Sequence, residues 1–233
     1  MTEESQRVLV ILAHPDDPEF FCGATLAKWA RQGKEIRYLL LNCGDKGGDR
    51  PEVTPEMLCA DRQVEQRAAA AVIGAKDVIF LQYHDGELVN SPDVRRDIVR
   101  EIRRFKPHTV VTCDPTTYFP RGGYRFNHAD HRTAGAAALD AVFPAAGNLM
   151  YFPELLREGL EPYAPKELWI SLTNEPNTWV DVTDTIAIKI AALKEHKSQI
   201  KDSVELEQRV RDRLRRTDVD RELYVEGFRV IKF

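Results

Sequence analysis

An apolar run from Val8 to Ala13 ends abruptly in His14-Pro15-Asp16-Asp17. A buried strand has no use for an imidazole and two carboxylates. The carboxyl end of the first strand of an open α/β sheet, however, is where ligands bind. His14 and Asp17 lie three apart across a Pro-fixed turn, a spacing that lets both reach one metal ion. Asp16 stands between them, close enough to handle a proton. The cluster therefore reads as a metal ion, a water on it and a general base beside it. A second cluster, Asn127-His128-Ala129-Asp130-His131, follows the fourth apolar run at the start of a helical pattern. His128 and His131 share a helical face. His14, Asp17 and His131 together make a two-His, one-carboxylate set with an open position, which suits zinc and also iron(II). Neither cluster alone is specific, because a His at a strand end is often just capped or solvated.

The elements that must position these groups alternate through the first 145 residues. Strands are expected over Arg7–Ala13, Ile36–Asn42, Val78–Tyr83 and Thr109–Cys113, and helices over Cys22–Arg31, Met57–Ile73, Asp93–Phe105 and His128–Ala141. Such alternation predicts right-handed βαβ units in an α/β fold, a mainly parallel sheet with helices on both faces. Beyond this come a long loop over Asn148–Pro165 with a short helical turn and two strands, Leu168–Leu172 and Trp179–Val182. Helices over Thr183–Ile200 and Ser203–Arg215 and a closing strand or arm over Glu222–Phe233 complete the reading. No repeat or linker divides the chain, so a single domain over 1–233 is expected.

The 233 residues carry a formal net charge of −4, which offers no electrostatic reason to bind nucleic acid. No apolar run approaches the ~20 residues that cross a bilayer. The polar start, Met1 to Arg7, does not read as a secretory signal, so a cytoplasmic location is expected. Cys22, Cys43, Cys59 and Cys113 form no C-x-x-C pair; two disulfides could form, but the reduced state is the expectation in that compartment.

His14-Pro15-Asp16-Asp17 with His128-Ala129-Asp130-His131 resembles the PIG-L/LmbE-like zinc N-deacetylases, which remove acetyl groups from N-acetylglucosamine-type substrates. The resemblance extends to Gly44-Asp45-Lys46-Gly47, to Arg62 with Glu65, to Asp85-Gly86-Glu87-Leu88 and to His196-Lys197-Ser198-Gln199. It covers roughly residues 7 to 200 and implies a Rossmann-like, three-layer α/β/α fold. It implies that His14, Asp17 and His131 hold Zn2+, and that Asp16 is the general base. His128, if protonated, would stabilise the oxyanion, and Asp130 would orient and charge an imidazole. Arg62 and Asp85 match positions implied to hold sugar hydroxyls. A small amino-sugar partner and a homo-oligomer are implied as well. The sequence departs from the family pattern where Pro18 follows the Asp pair and displaces Glu19, which receives no role.

Other residues carry weaker readings. His84 is a pocket residue or a surface one. His196 reaches the site or packs a helix, and His108 is structural. Tyr118, Arg121, Tyr124 and Arg125 form an aromatic-basic loop suited to stacking a sugar or to solvent and subunit contact. The aglycone pocket is expected in the loops Tyr118–Asn127 and Ala145–Pro165. The charges from Glu205 to Arg216 read as a solvated helix face, and Phe152, Leu155 and Leu156 as core or interface. Three functions of different kinds remain to be separated. The first is deacetylation of an N-acetylated amino sugar. The second is metal-dependent hydrolysis of another amide or an ester. The third is non-catalytic binding by a Rossmann-like domain. A nucleotide-binding domain would need a Gly-rich phosphate loop where His14-Pro15-Asp16-Asp17-Pro18 stands. A vestigial sugar binder would be expected to lack Asp16 or a ligand, and all are present.

Overall fold

The computed structural model describes residues 6–121, 126–216 and 222–233. Five strands run parallel in the order β3 (Asp77–Tyr83), β2 (Glu35–Asn42), β1 (Arg7–Leu12), β4 (Thr109–Cys113) and β5 (Glu167–Ser171). β8 (Leu223–Lys232) then pairs antiparallel with β5, β6 (Thr178–Asp181) pairs antiparallel with β8, and the two-residue β7 (Arg215–Arg216) also pairs with β8. The expected α/β class and mainly parallel sheet are borne out. Strand order reverses between β1 and β4, since β1 leads outward to β2 and β3 while β4 returns to its other side. That switch point opens a crevice at the carboxyl ends of β1 and β4, directly below the two polar clusters.

Val8 to Leu12 and Thr109 to Cys113 are fully buried, because helices cover both faces of these central strands. One face packs under α3 (Pro92–Phe105) and α4 (Ala129–Asp140), with Leu9, Ile11, Ile98, Ile102 and Val110 in one core. The other packs under α1 (Asp17–Arg31) and α2 (Pro55–Ile73), around Val8, Val10, Leu26 and Trp29. A third core joins α6 (Ile186–Leu193), α7 (Ser203–Leu214) and Tyr224 of β8. Leu155, in the short α5 (Glu154–Arg157), belongs to the first core and Phe152 packs on it.

Local chemistry starts the helices. Thr54 and Ser91 accept from Met57 N and Val94 N, each followed by Pro at the first helical position. Most element ends shift by a residue or two, and two helices differ from the sequence reading by more. α1 begins at Asp17, not Cys22, because Pro18 is accepted in the first turn. The helix expected over Thr183–Ile200 ends at Leu193, where the chain turns to bring His196 into the interior. A third correction concerns the cysteines. Cys43 and Cys59 form a disulfide that ties the loop after β2 to α2, while Cys22 and Cys113 are free and buried. Spacing in sequence could not reveal that the loop folds back onto the helix. No helix among the described residues is long and apolar enough to cross a membrane.

Candidate active site

His14 leaves the end of β1, Asp17 opens α1, and His131 stands in the first turn of α4. Their ligating atoms converge. His14 Nδ1 is 3.2 Å from His131 Nε2 and 3.4 Å from Asp17 Oδ2, and His131 Nε2 is 3.0 Å from Asp17 Oδ1. Three ligands at ~2.0–2.1 Å from a tetrahedral zinc would sit roughly 3.3–3.4 Å from one another, so the triangle has the right size. The second nitrogen of each ring faces an oxygen: His14 Nε2 meets Asp85 Oδ1 at 3.0 Å, and His131 Nδ1 meets Asn127 Oδ1 at 2.9 Å. A metal ion in the triangle would take the lone pair of each inner nitrogen, leaving each outer one to donate its N–H to the oxygen it faces.

The electrostatics favour a cation there. Burial works against a charged His14, but hydrogen bonds with Asp130, Asp17 and Asp85 outweigh it and raise its pKa well above the ordinary value. Burial likewise opposes an ionised Asp17, yet the neighbouring His131 and His14 hold its pKa far below the usual carboxylate range. Two overlapping groups of possible ligands occur among the described residues, His14 with His128 and His131, and His14 with Asp85, His128 and Asp130.

Asp16 is held differently from its neighbour. Its backbone is left-handed, φ 81° and ψ −27°. For a residue with a Cβ that conformation costs ~1–2 kcal/mol. The turn is pinned by α2: Arg62 donates to Pro15 O at 2.8 Å and to Asp16 Oδ2 at 3.1 Å, and Asp16 N donates to Gln66 Oε1 at 2.7 Å. The carboxyl does not cap α1. Burial lifts the Asp16 pKa to about 6, partly offset by the Arg62 cation.

Arg62 is itself buried, and its other bond goes to Gly44 O at 3.0 Å. Gly44 has φ +67°, and a Cβ there would lie 2.0 Å from the guanidinium. The Gly-acidic loop thus makes room for Arg62. Behind the turn, Gln66 donates to both oxygens of the buried Glu19, and Glu19 meets His196 Nε2 at 3.1 Å.

In the second cluster, His128 caps α4 by accepting the Asp130 N–H on Nδ1 at 3.2 Å. Its pKa is lowered, by burial first and then by His14 and His131. That favours a neutral ring carrying its proton on Nε2, whereas the sequence reading considered a protonated one. The Asp130 carboxylate accepts from Gly86 N at 2.7 Å and lies 3.5 Å from His14 Nε2, so the imidazole it faces most closely is His14. Asp85 meets that same nitrogen, and burial of its carboxylate is outweighed by the His14 hydrogen bond, which lowers its pKa.

A cavity of about 660 Å3 opens onto these groups, lined by His14, Asp16, Asp17, Arg62, Asp85, His128 and His131. Its far wall is α7, through Leu206, Arg209, Val210 and Leu214, with Phe20 and Phe21 of α1 beside it. This corrects two expectations. The 205–216 segment is not simply a solvated face, and the Ala145–Pro165 loop does not line this cavity. Tyr118 borders a separate pocket and stacks under Arg132, while Tyr124 and Arg125 lie outside the described residues. His84 is exposed, 3.8 Å from Asp45 Oδ2, and His108 bonds Thr109.

Comparison with known proteins places the chain in a family. The PIG-L model, described as GlcNAc-PI de-N-acetylase, matches residues 9–142. A diacetylchitobiose deacetylase of Thermococcus kodakarensis is 34% identical over 199 residues, covering 85% of this chain and 72% of that protein. A 1D-myo-inositol 2-acetamido-2-deoxy-alpha-D-glucopyranoside deacetylase of Rhodococcus erythropolis is 28% identical over 251 residues, covering 86% and 83%. Among solved structures, the N,N'-diacetylchitobiose deacetylase of Pyrococcus horikoshii superposes with a TM-score of 0.88 at 29% identity, covering 99% of this chain and 85% of that one. The chain belongs to the PIG-L family, as its two His motifs implied.

Proposed function

We propose that this protein hydrolyses the acetamide of an N-acetylglucosamine-type sugar or conjugate, releasing acetate and a free amine. The observation that carries the reading is the donor triangle of His14, Asp17 and His131 with the Asp16 carboxyl in the same cavity of a PIG-L chain. Those three residues would hold zinc, which their donor types and lone-pair directions suit. When bound, zinc supplies Lewis acidity to the amide carbonyl and makes water acidic enough to lose a proton near neutral pH.

The remaining work falls to the chain's own groups. An amide is a poor electrophile, so water must be deprotonated as it attacks. Asp16, with a pKa of about 6, is largely ionised at pH 7 and takes that proton. It then returns the proton to the departing amine. His128, protonated on Nε2 because its Nδ1 accepts the Asp130 N–H, donates a hydrogen bond to the amide oxygen as that oxygen gains charge. Asp85 and Asp130 hold the His14 ring from behind, and Arg62 fixes the Asp16 carboxyl. On this reading Arg62 and Asp85 act on protein groups more directly than on sugar hydroxyls. Phe143, Leu149, Met150 and Tyr151 are each exposed, apolar side chains of the kind a homo-oligomer would cover.

The test is acetate release from a panel of N-acetylglucosamine conjugates, by protein stripped of metal and then reloaded with zinc. Zinc-dependent release supports the reading. No release from any conjugate, with one metal bound per chain, moves the function to another amide or an ester.

A further inference from the structure

Gln66 has no role in the chemistry derived above, yet it is fully buried beside it. It lies one helical turn after Arg62 on the same face of α2, so both side chains reach the His14–Asp17 turn. Its two amide ends face opposite partners. Nε2 is 3.1 Å from each oxygen of Glu19, and Oε1 is 2.7 Å from the Asp16 backbone nitrogen. A flipped amide would set its oxygen against a carboxylate and its NH2 against an N–H. The Glu19 carboxylate therefore fixes which end of Gln66 meets Asp16. Glu19 in turn is fully buried and anchored by His196, which is also fully buried. The chain of contacts runs from the turn after α6, through the first turn of α1, to α2, and ends on the one left-handed residue of the active-site turn.

We infer that Gln66, oriented by Glu19 and His196, is a positioning residue that holds Asp16 in its left-handed conformation and so aims its carboxyl into the cavity. A non-glycine residue stays left-handed only where its surroundings enforce it. Arg62 grips Pro15 O and the Asp16 carboxyl, but Gln66 alone among the described residues holds the Asp16 N–H, the group whose direction changes when φ changes sign. The inference also gives Glu19 a use despite its displacement by Pro18. As a statement about kcat it rests on the deacetylase reading; as a statement about the conformation of Asp16 it does not.

The experiment pairs a crystal structure with kinetics for Gln66→Met, a substitution close in length that removes both amide ends. The expected structure has Asp16 out of the positive-φ region or its carboxyl turned from Arg62. An unchanged Asp16 overturns the inference whatever the activity. On an N-acetylglucosamine conjugate, kcat is expected to fall ~10- to 100-fold, the scale of a misplaced reacting group, with KM and zinc content unchanged. Combined with Asp16→Asn, Gln66→Met is expected to add no further loss. A further loss in that background means a general structural role and overturns the inference. If Gln66→Met does not fold, Glu19→Gln is the second variant. It keeps the shape and removes the charge that orients the Gln66 amide, and it is expected to lower kcat in the same way. A displaced Asp16 in a protein whose wild type releases no acetate would sink the deacetylase reading and leave the positioning role standing.

Discussion

Arg62→Met should move the acid limb of the pH–rate profile upward. In the native protein burial raises the Asp16 pKa and the Arg62 guanidinium, 3.1 Å from Oδ2, pulls it back to about 6. The base works only when ionised. Activity is therefore lost as pH falls through about 6, and at pH 7 roughly 90% of Asp16 is available. An opposite charge this close lowers a carboxyl by ~1–3 pKa units, so removing it should raise the midpoint to roughly 7–9. At pH 7 the ionised fraction then drops to between ~50% and ~1%, a loss of ~2- to 100-fold in kcat/KM that is recovered near pH 9 or above. The assay is acetate release from an N-acetylglucosamine conjugate, with kcat and KM measured from pH 5 to 10. A raised KM with an unmoved acid limb would refute the argument. It would return Arg62 to the sugar-hydroxyl role that the sequence resemblance implied.

Three further outcomes follow from the same structure. His131→Ala should lower metal content, read by atomic spectroscopy; full zinc occupancy in that variant contradicts the ligand set. Lys189 and Glu226 form an ion pair at 2.6 Å with side chains 3% and 2% exposed, so Lys189→Met takes the counter-charge from a buried carboxylate that keeps the Ala24 and Thr25 backbone N–H groups. That loss costs ~3–5 kcal/mol and lowers Tm by roughly 6–20 °C in a chain of this size, and an unchanged Tm contradicts it. Val210→Trp narrows the cavity from the α7 side and should raise KM for conjugates with bulky aglycones more than for the free sugar; equal effects would remove α7 as the aglycone wall.

Much of the architecture was legible because it rests on local pattern. The all-apolar run of β1 and the alternation to β4 follow from strands buried on both faces, and the His14 turn announces itself because polar groups end such a run. What was not legible depends on partners far apart in the chain. Glu19 meets Gln66 47 residues away and His196 177 residues away, and no spacing rule links them. Gln66 did carry a signal, a polar residue at the i+4 position from Arg62, but helix periodicity cannot tell a buried amide from a solvated one. The charges of α7 misled for a related reason. Arg209 and the apolar Leu206 and Val210 all border the cavity, and only the packing of α7 across the site makes that helix a wall. Cys43 and Cys59 similarly meet only because the Gly44 loop returns to α2.

The most direct measurement is zinc content and acetate release in Asp16→Asn, side by side with the wild type. One zinc per chain is expected in both, with turnover lost in the variant. Zinc lost along with activity would make Asp16 a ligand, and turnover retained with zinc in place would remove it as the base.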